Sequence, residues 1–292
     1  MTLFDGLPLE TGSKPNIVLS ASRMTDMPKY YPQDIITEVE KRLAKGLAVH
    51  SLVLWTKHPQ ALLTQPLHDY LLLLKSRNIQ LAVQLTITGL GQLPIGVRAD
   101  KKPLILEPNS PRYQQALVTL PQIIELVGKP DRIRLRVDPL VTVTDSQGNL
   151  FSNLSMLPEM LEHAARHGIR NISFSFLERL YDKVLRRFRS IGCTIVPPDQ
   201  AERARIGTWF KALEQQFHVQ ISPCCVPGFP DSKCIDSKQL QLLHNTQAPL
   251  NDASPRRRPQ CGCSQTIDLG GWPPKPCFTG CDYCYARPVY VD

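Results

Sequence analysis

Three cysteines close to the end of the sequence have the spacing of a metal-binding loop. Cys277, Cys281 and Cys284 are separated by three residues and then by two, so one short loop can present all three thiolates to one metal centre. A structural zinc site has four protein ligands, and iron–sulfur clusters are usually held by four cysteines. The spacing therefore predicts either a distant fourth protein ligand or a metal position that is left open to a substrate or cofactor.

A second group of cysteines precedes this loop in a proline-rich segment. Its members are Cys225, Cys234, Cys261 and Cys263, with Cys224 adjacent to the first. Two thiolates one residue apart, as in the Cys-Gly-Cys step at 261–263, can converge on one metal or on neighbouring irons of a cluster. The group therefore predicts an auxiliary iron–sulfur cluster or a zinc site, and the alternative is a set of incidental cysteines.

Polar residues stand where the predicted strands end, and (β/α) barrels assemble their active sites from the loops at that position. One hypothesis is that basic members of this set bind an anionic group of a cofactor or substrate, while the carboxylates hold hydroxyl or amino groups. The alternative is a set of salt bridges and helix caps, in which the aspartates shape turns. The set comprises Arg23, Thr25, Asp26, Lys57, Thr86, Arg136 and Asp138.

The elements that would position these groups alternate between strand and helix along the chain. Predicted strands lie at 17–20, 52–55, 81–86, 133–137, 172–176, 219–222 and 266–269. Predicted helices lie at 32–45, 66–77, 111–127, 157–167, 177–189 and 198–217. This alternation predicts an α/β fold with parallel strands, and we favour a full or partial (β/α) TIM-like barrel. A doubly wound sheet would concentrate ligand groups at one switch point, and no glycine-rich phosphate loop supports it.

The chain is predicted to form one globular unit with three parts. Residues 1–222, after a loose arm at 1–15, form the barrel body; 223–263 form a cysteine-rich cap or insertion; and 264–292 form the last strand and the cluster-binding loop. We interpret the basic residues Lys183, Arg186, Arg187 and Arg189 as solvated surface, and His58 as a surface or capping group. The run Arg256-Arg257-Arg258 is a better candidate for an anion contact.

The composition is that of a soluble globular protein. The chain has 292 residues, of which 42% are hydrophobic and 21% charged, and no apolar run approaches the roughly 20 residues of a membrane helix. The first residues lack the profile of a signal peptide, so a cytoplasmic location is expected. Cytosolic thiols stay reduced, which favours metal ligands over disulfides, although the isolated Cys193 is expected to be a buried apolar residue. The net charge of +8 permits an anionic partner such as nucleic acid.

The terminal loop also resembles a known motif. With Tyr283 and Tyr285 around Cys284, the run from Cys277 to Ala286 is similar to the cluster loop of radical S-adenosylmethionine (SAM) enzymes. In that superfamily three cysteines hold a four-iron, four-sulfur (4Fe–4S) cluster, and SAM chelates the fourth iron through its amino and carboxyl groups. Reduction of the cluster then cleaves SAM to methionine and a 5′-deoxyadenosyl radical.

This resemblance implies a 4Fe–4S cluster and SAM as cofactors, together with a reductant such as flavodoxin or ferredoxin. The basic strand-end residues would then bind the carboxylate of SAM or an anionic substrate, and the carboxylates would hold ribose hydroxyls or the amino group of SAM. In the superfamily the loop normally follows the first barrel strand, whereas here it follows the last. The resemblance therefore implies a circularly permuted barrel, which closely spaced termini would allow.

Over nearly its full length the chain also resembles the bacterial family catalogued as domain of unknown function 1848. That family is noted for C-terminal cysteines that resemble the N-terminal motif of radical SAM enzymes, so the resemblance implies a cluster but supplies no substrate. The matching runs are Ser20-Ala21-Ser22-Arg23 with Thr25-Asp26, Trp55-Thr56-Lys57 with Pro59, Arg136 with Asp138-Pro139, Cys234-Ile235-Asp236, and the terminal loop.

Two other functions stay open at this point. A non-catalytic zinc-binding adaptor would use Cys261 or Cys263 as the fourth ligand of the terminal loop and would contact nucleic acid through its basic segments, but no aromatic stacking platform accompanies them. An iron–sulfur protein for electron transfer or sensing would cycle between redox states without binding SAM.

Overall fold

The computed structural model describes residues 16–254 and 260–290, so the predicted arm at 1–15 and the Arg256-Arg257-Arg258 run lie outside the described residues. Within the described ranges no helix is long and apolar enough to cross a membrane. The strands are β1 (Ile17–Ala21), β2 (Val49–Thr56), β3 (Gln80–Thr86), β4 (Ile133–Leu140), β5 (Thr142–Thr144), β6 (Leu150–Ser152), β7 (Asn171–Phe176), β8 (Thr194–Ile195), β9 (Gln220–Pro223) and β10 (Ile267–Asp268). The helices are α1 (Met27–Tyr30), α2 (Pro32–Ala44), α3 (Leu67–Ser76), α4 (Tyr113–Leu117), α5 (Leu120–Val127), α6 (Leu157–Arg166), α7 (Asp182–Ser190), α8 (Gln200–Phe217) and α9 (Ser237–Leu243).

Seven strands form one parallel sheet in the order β10-β1-β2-β3-β4-β7-β9. Each member after β1 is added beside the preceding member, until β10 returns to the other side of β1, where Leu19 pairs with Ile267. The predicted α/β class with parallel strands is therefore confirmed. Within the described part of the chain no pairing joins β9 to β10, so the sheet has two edges. A small antiparallel sheet contains β6, β5 and β8.

Helices cover one face of the main sheet. Successive side chains of a strand point to opposite faces, and along β2 the fully buried Leu52 and Leu54 belong to the large core with Ile35 of α2 and Leu71 of α3. Burying one leucine side chain contributes about 1.5–3 kcal/mol. This face holds the largest of the three apolar clusters among the described residues. It therefore supplies the largest share of the hydrophobic stabilisation.

The cysteine-rich segment covers the second face of the sheet. Val53 and Trp55 of β2 pack there with Cys234 and other residues of that segment. Polar side chains of β3 also bind it, because Gln84 Nε2 donates to the Cys234 carbonyl (2.7 Å) and Gln80 Nε2 donates to a carbonyl of α9 (3.0 Å). The segment that was predicted as a cap is thus attached to the sheet by both apolar and hydrogen-bonding contacts.

Two helix predictions were wrong in detail. The helix predicted at 111–127 is divided into α4 and α5, and Pro121, which lacks an N–H donor, lies in the first turn of the second. The helix predicted at 177–189 begins only at Asp182, because the Leu177 N–H donates to the Leu140 carbonyl (2.8 Å). That hydrogen bond continues the sheet beyond β7, so the chain cannot turn into a helix at this point.

Candidate functional site

The terminal loop, defined as residues 277–286, lies at the C-terminal ends of the parallel strands. Two side chains that follow β1 bind the residues just before the loop. Thr25 Oγ1 donates to the Lys275 carbonyl (2.8 Å), and the Tyr31 hydroxyl donates to the next carbonyl along the chain (2.9 Å). β1 also pairs with β10, the strand that precedes the loop. The chain around β1 therefore positions the loop both through these side-chain hydrogen bonds and through strand pairing.

Helix α7 also contacts the terminal loop. Arg187 Nη1 donates to the Cys281 carbonyl (3.3 Å) and to the carbonyl that follows it, and its Nη2 donates to the Cys284 carbonyl (2.7 Å). Lys183 Nζ donates to the Ala286 carbonyl (2.9 Å). The interpretation of the basic residues of this helix as solvated surface is therefore wrong for the half-buried Arg187, because loop carbonyls replace water as its partners.

The three thiols of the terminal loop differ in exposure. Cys281 is buried, while Cys277 and Cys284 are half-buried. Burial, together with the charge of Glu107, holds the pKa of Cys281 well above its usual value, and burial also raises the pKa of Cys284. All three thiols lie within electrostatic reach of one another. Across residues 16–254 and 260–290, however, no group of three or more His, Cys, Asp or Glu side chains is arranged to hold a metal ion.

A buried ion pair lies within electrostatic reach of Cys281. Lys57 Nζ is 3.1 Å from Glu107 Oε1, and Glu107, which is 1% exposed, also accepts hydrogen bonds from Thr88 and Tyr283. Burial alone would raise the pKa of Glu107, but Lys57 and the two hydroxyl donors outweigh it and lower the pKa. Burial would likewise lower the pKa of Lys57, but Glu107 and Cys281 outweigh it and raise the pKa. Both side chains are therefore charged at neutral pH.

Glu107 is a site residue that the sequence analysis missed. It lies in the irregular stretch between β3 and α4, where no strand or helix pattern singles it out. The apolar run Leu104-Ile105-Leu106 directly precedes it, which is too common a feature to indicate a buried carboxylate. Tyr283, its hydrogen-bond donor, was noted only as a neighbour of Cys284.

Asp26 and His58 connect the ends of β1 and β2 to the surroundings of the loop. Asp26 caps α1 and accepts hydrogen bonds from Thr56 Oγ1 (2.9 Å) and from the backbone N–H of Lys57 (2.7 Å). His58 is buried and its side chain makes no helix cap, which corrects its prediction as a surface or capping group, and its Nε2 lies 3.1 Å from Thr279 Oγ1. Burial lowers the pKa of His58, so the imidazole is neutral at neutral pH and orders the loop through a neutral hydrogen bond.

A cavity of about 480 Å³ opens beside His58. Its lining includes Lys29, Gln60, Thr64 and Gln115, and its volume lies within the range of about 300–1,000 Å³ that is typical of small-molecule sites. A ligand in this cavity would adjoin the contact between His58 and the terminal loop.

Two arginines from the strand-end set gather at Trp55. The Cζ atom of Arg23 lies 5.4 Å from the centroid of the Trp55 ring, and that of Arg136 lies 4.7 Å from it. Arg136 is buried, forms an ion pair with Asp138, and places Nη1 3.5 Å from Cys234 Sγ. Burial opposes the charge on Arg136, but Asp138 and Cys234 outweigh burial and raise the pKa of the guanidinium.

The strand-end residues thus fall into two sets, one near each cysteine group. Lys57 also lies within electrostatic reach of Asp138, which connects the sets across the end of the sheet. The set at the terminal loop contains Thr25, Asp26 and Lys57; the set at the cysteine-rich segment contains Arg23, Arg136 and Asp138, with Thr86 paired in register with Arg136.

The second cysteine group converges more closely than the first. Cys224 Sγ lies 3.4 Å from Cys234 Sγ, and the backbone N–H of Cys234 donates to Cys263 Sγ (3.2 Å). Cys225 is hydrogen-bonded to Cys224, and Cys261 lies within electrostatic reach of Cys263. The direct sulfur contact is therefore made by Cys224, which the sequence analysis had placed only as an adjacent residue.

Comparison with known proteins gives one family match. A family model described as Domain of unknown function (DUF1848) matches residues 18–286, a range that includes both cysteine groups and all seven strand-end residues. Neither the curated proteins nor the solved structures contain a match to the chain.

Proposed function

The chain belongs to the DUF1848 family, and we propose that it is an iron–sulfur enzyme of the radical SAM type. The observation that carries the proposal is the placement of the terminal loop. Its three thiols lie at the edge where the parallel strands end, within electrostatic reach of one another. Active sites of barrels are built at that edge.

The donor set of the loop fits an iron–sulfur cluster. Thiolates are the ligands that such clusters use, and three of them leave one position for an outside ligand. Cys277, Cys281 and Cys284 would hold the cluster, and the thiol protons would be released as metal binds. When bound, a 4Fe–4S cluster with SAM supplies reductive cleavage of SAM and a 5′-deoxyadenosyl radical for a substrate that stays unidentified.

The residues around the loop would keep it in place and limit water access. Arg187 binds three loop carbonyls, and the Lys57–Glu107 pair holds the hydroxyl of Tyr283. Because their polar atoms already have protein partners, we assign Asp26, Lys57 and Glu107 to positioning the loop rather than to binding a ligand.

Arg23 is the strand-end residue best suited to bind an anionic group. It lies within electrostatic reach of Asp268 but forms no ion pair with any residue in the described ranges, and its guanidinium lies over the Trp55 ring. Arg136 already pairs with Asp138 and contacts Cys234 Sγ. We therefore assign Arg23 to the carboxylate of SAM or of an anionic substrate, with Thr25 and Thr86 as neutral neighbours at the same edge.

A permuted barrel, full or partial, is the architecture we propose for this chemistry. The strand order supports it, because β10 pairs with β1 and every other strand of the sheet follows in chain order. In a closed barrel β9 and β10 would be neighbours. In radical SAM enzymes this loop follows the first strand. Here it would follow β10, which lies next to β1.

The test is SAM cleavage by the full chain after anaerobic reconstitution with iron and sulfide. With dithionite, or with flavodoxin or ferredoxin as the reductant, we expect 5′-deoxyadenosine from the wild type and from the control Cys193→Ala. Cys277→Ala, Cys281→Ala and Cys284→Ala should each abolish both the cluster and the product. A complete cluster that neither binds nor cleaves SAM would refute the enzyme and favour electron transfer or sensing. Zinc without labile sulfide at these cysteines would favour the adaptor.

A further inference from the structure

Three thiols from separate chain segments meet against the second face of the sheet. Cys224 directly follows β9, Cys234 precedes α9, and Cys263 precedes β10. The Sγ atoms of Cys224 and Cys234 are 3.4 Å apart, and Cys263 Sγ accepts from the Cys234 N–H at 3.2 Å. Cys234 and Cys263 are 7% and 4% exposed, so the meeting point is shielded from solvent.

We propose that Cys224, Cys234 and Cys263 bind a single thiophilic divalent cation of the zinc class, with Cys261 as the fourth ligand. In a tetrahedral site with Zn–S bonds of about 2.3 Å, neighbouring sulfurs lie about 3.8 Å apart. The 3.4 Å between Cys224 and Cys234 is close to that spacing. As the side chains of the described residues stand, no three of them are arranged to hold an ion, so binding requires these sulfurs to move apart and the Cys261 side chain to turn toward them. Thiolates on different irons of a cluster stand farther apart, because the irons themselves are separated, so one ion fits this pair better.

The glycine of the Cys-Gly-Cys step lets the backbone that carries Cys261 and Cys263 approach the residues beside Cys234. The Gly262 N–H donates to the Ser232 carbonyl (3.1 Å), and Cys261 forms a parallel backbone bridge with Ser232. A Cβ at position 262 would lie 3.3 Å from the Ser232 oxygen and 3.2 Å from Lys233 Cγ. Glycine therefore lets the 261–263 segment approach the backbone beside Cys234 closely, with one thiol on either side of it.

Two guanidinium groups offset the net negative charge of a four-thiolate site. Arg136 Nη1 lies 3.5 Å from Cys234 Sγ, and Arg134 lies within electrostatic reach of Cys234 and Cys263. N–H groups that contact the ligands are the outer partners through which proteins orient metal sites. Metal binding replaces the S–H contact between Cys224 and Cys234 by metal–thiolate bonds, and the thiol protons go to solvent.

Four cysteines give this site a closed set of protein ligands, which is the arrangement of structural zinc. The ion would join the chain after β9, the segment before α9 and the chain that leads into β10. It would therefore fasten the cysteine-rich segment to the sheet. This inference is independent of the cluster proposed for the terminal loop, since the two groups share no cysteine.

The test is the metal content of the full chain supplied with zinc, iron and sulfide. We expect about one zinc per chain in the wild type and in Cys193→Ala, which removes a thiol that is buried in a separate apolar cluster, as its isolated position predicts. Cys224→Ser, Cys234→Ser and Cys263→Ser should lose the zinc. Joint replacement of Cys277, Cys281 and Cys284 by alanine should keep the zinc and lose the iron.

A cysteine variant can lose zinc by misfolding, so X-ray absorption at the zinc edge of the wild type is the second measurement. It should show four sulfur ligands at about 2.3 Å. Full zinc content in Cys224→Ser and Cys234→Ser, or coordination mainly by nitrogen and oxygen, would overturn the proposal. Labile sulfide that persists after loss of Cys277, Cys281 and Cys284 would also overturn it, because it would identify a second cluster at this place.

Discussion

Glu107 is a single buried carboxylate that contacts a lysine, a threonine and a tyrosine from three parts of the chain. The desolvation of a buried ion pair offsets much of its attraction, so such a pair is weak support for net stability. Its effect here is positional, because it fixes the side chain of Tyr283, which stands between Cys281 and Cys284 in the sequence.

The first prediction concerns the loss of this carboxylate. Glu107→Gln leaves Lys57 buried without its counter-ion, so we expect the free energy of unfolding to fall by about 3–5 kcal/mol, measured by urea unfolding at neutral pH. The matched control is Glu125→Gln, which changes an exposed glutamate of α5 and should stay within about 0.5 kcal/mol of the wild type. Equal effects of the two substitutions would contradict the interpretation.

The second prediction is the pH dependence of the difference in unfolding free energy between wild type and Glu107→Gln. The folded pKa of Glu107 is lowered, so its contribution is present above the unfolded value of about 4.3 and is lost as the pH falls through the folded value. The folded pKa of Lys57 is raised, so its contribution is present below about pH 10.4 and is lost as the pH rises through the folded value. The gap between wild type and Glu107→Gln should shrink as the pH falls below about 4, because Glu107 becomes protonated in the wild type. Urea unfolding at each pH measures it, and a gap that widens in acid would disprove the assignment.

The third prediction concerns Gly280 in the terminal loop. Its φ is +69°, and a Cβ there would lie 3.2 Å from the Val289 oxygen, whereas Gly271 has a φ of +71° with no atom within 4 Å of such a Cβ. Alanine at either position introduces left-handed strain of about 1–2 kcal/mol, but only Gly280→Ala adds a close contact. We therefore expect Gly280→Ala to lower both the unfolding free energy and the iron content more than Gly271→Ala. Equal losses would show that the loop is not closely packed here.

The proximity of the three thiols in the terminal loop could be predicted from the sequence because their spacing is itself the signal, whereas the contact of Cys224 with Cys234 could not. Glu107 and Arg187 could not be predicted in the same way, since their partners are distant in the sequence and their own surroundings show no pattern. Arg187 in particular binds backbone carbonyls, which every residue carries and which leave no trace in residue types.

Helix α7 shows the same limit for a whole element. Its apolar side, with Val184 and Phe188, is buried, and the basic residues between them follow the pattern of an ordinary surface helix. The role of the helix changes because its basic side chains contact the terminal loop, which lies nearly 100 positions later in the chain. Most strand and helix positions were predictable because they depend on local pattern, whereas the start of α7 and its contact with the loop depend on the tertiary fold.

The fourth prediction tests the contact between α7 and the loop. Arg187→Ala removes the donor for three carbonyls, and a hydrogen bond to a charged group contributes about 1.5–3 kcal/mol. We expect amide hydrogen exchange in residues 281–286 to accelerate roughly tenfold or more, with little change in the sheet. Arg186→Ala removes an exposed neighbour and should leave exchange unchanged. Uniform acceleration across the protein in Arg187→Ala would indicate global destabilisation instead.

At the scale of the whole molecule, the sequence predicted the α/β class but not whether the sheet closes. The second face of the sheet binds the cysteine-rich segment through Gln80, Gln84 and Arg136. These side chains look like ordinary interior residues of a barrel in the sequence. Only the fold reveals that their partner is a segment about 100 to 160 residues away in the chain.

The fifth prediction tests the permuted order directly. New termini after the exposed Ser254, with residue 292 joined to residue 1, place β10 and the terminal loop before β1. The 15 residues before Asn16 and the two after Tyr290 can span up to about 56 Å when extended. Because β10 already pairs with β1, this permutant should fold, with an unfolding free energy close to that of the wild type, and bind the same amount of iron. A control permutant with new termini at the exposed Gly148, between β5 and β6, has the same joint. If the control folds and binds iron while the Ser254 permutant does not, the order of loop and barrel matters and the permutation proposal fails.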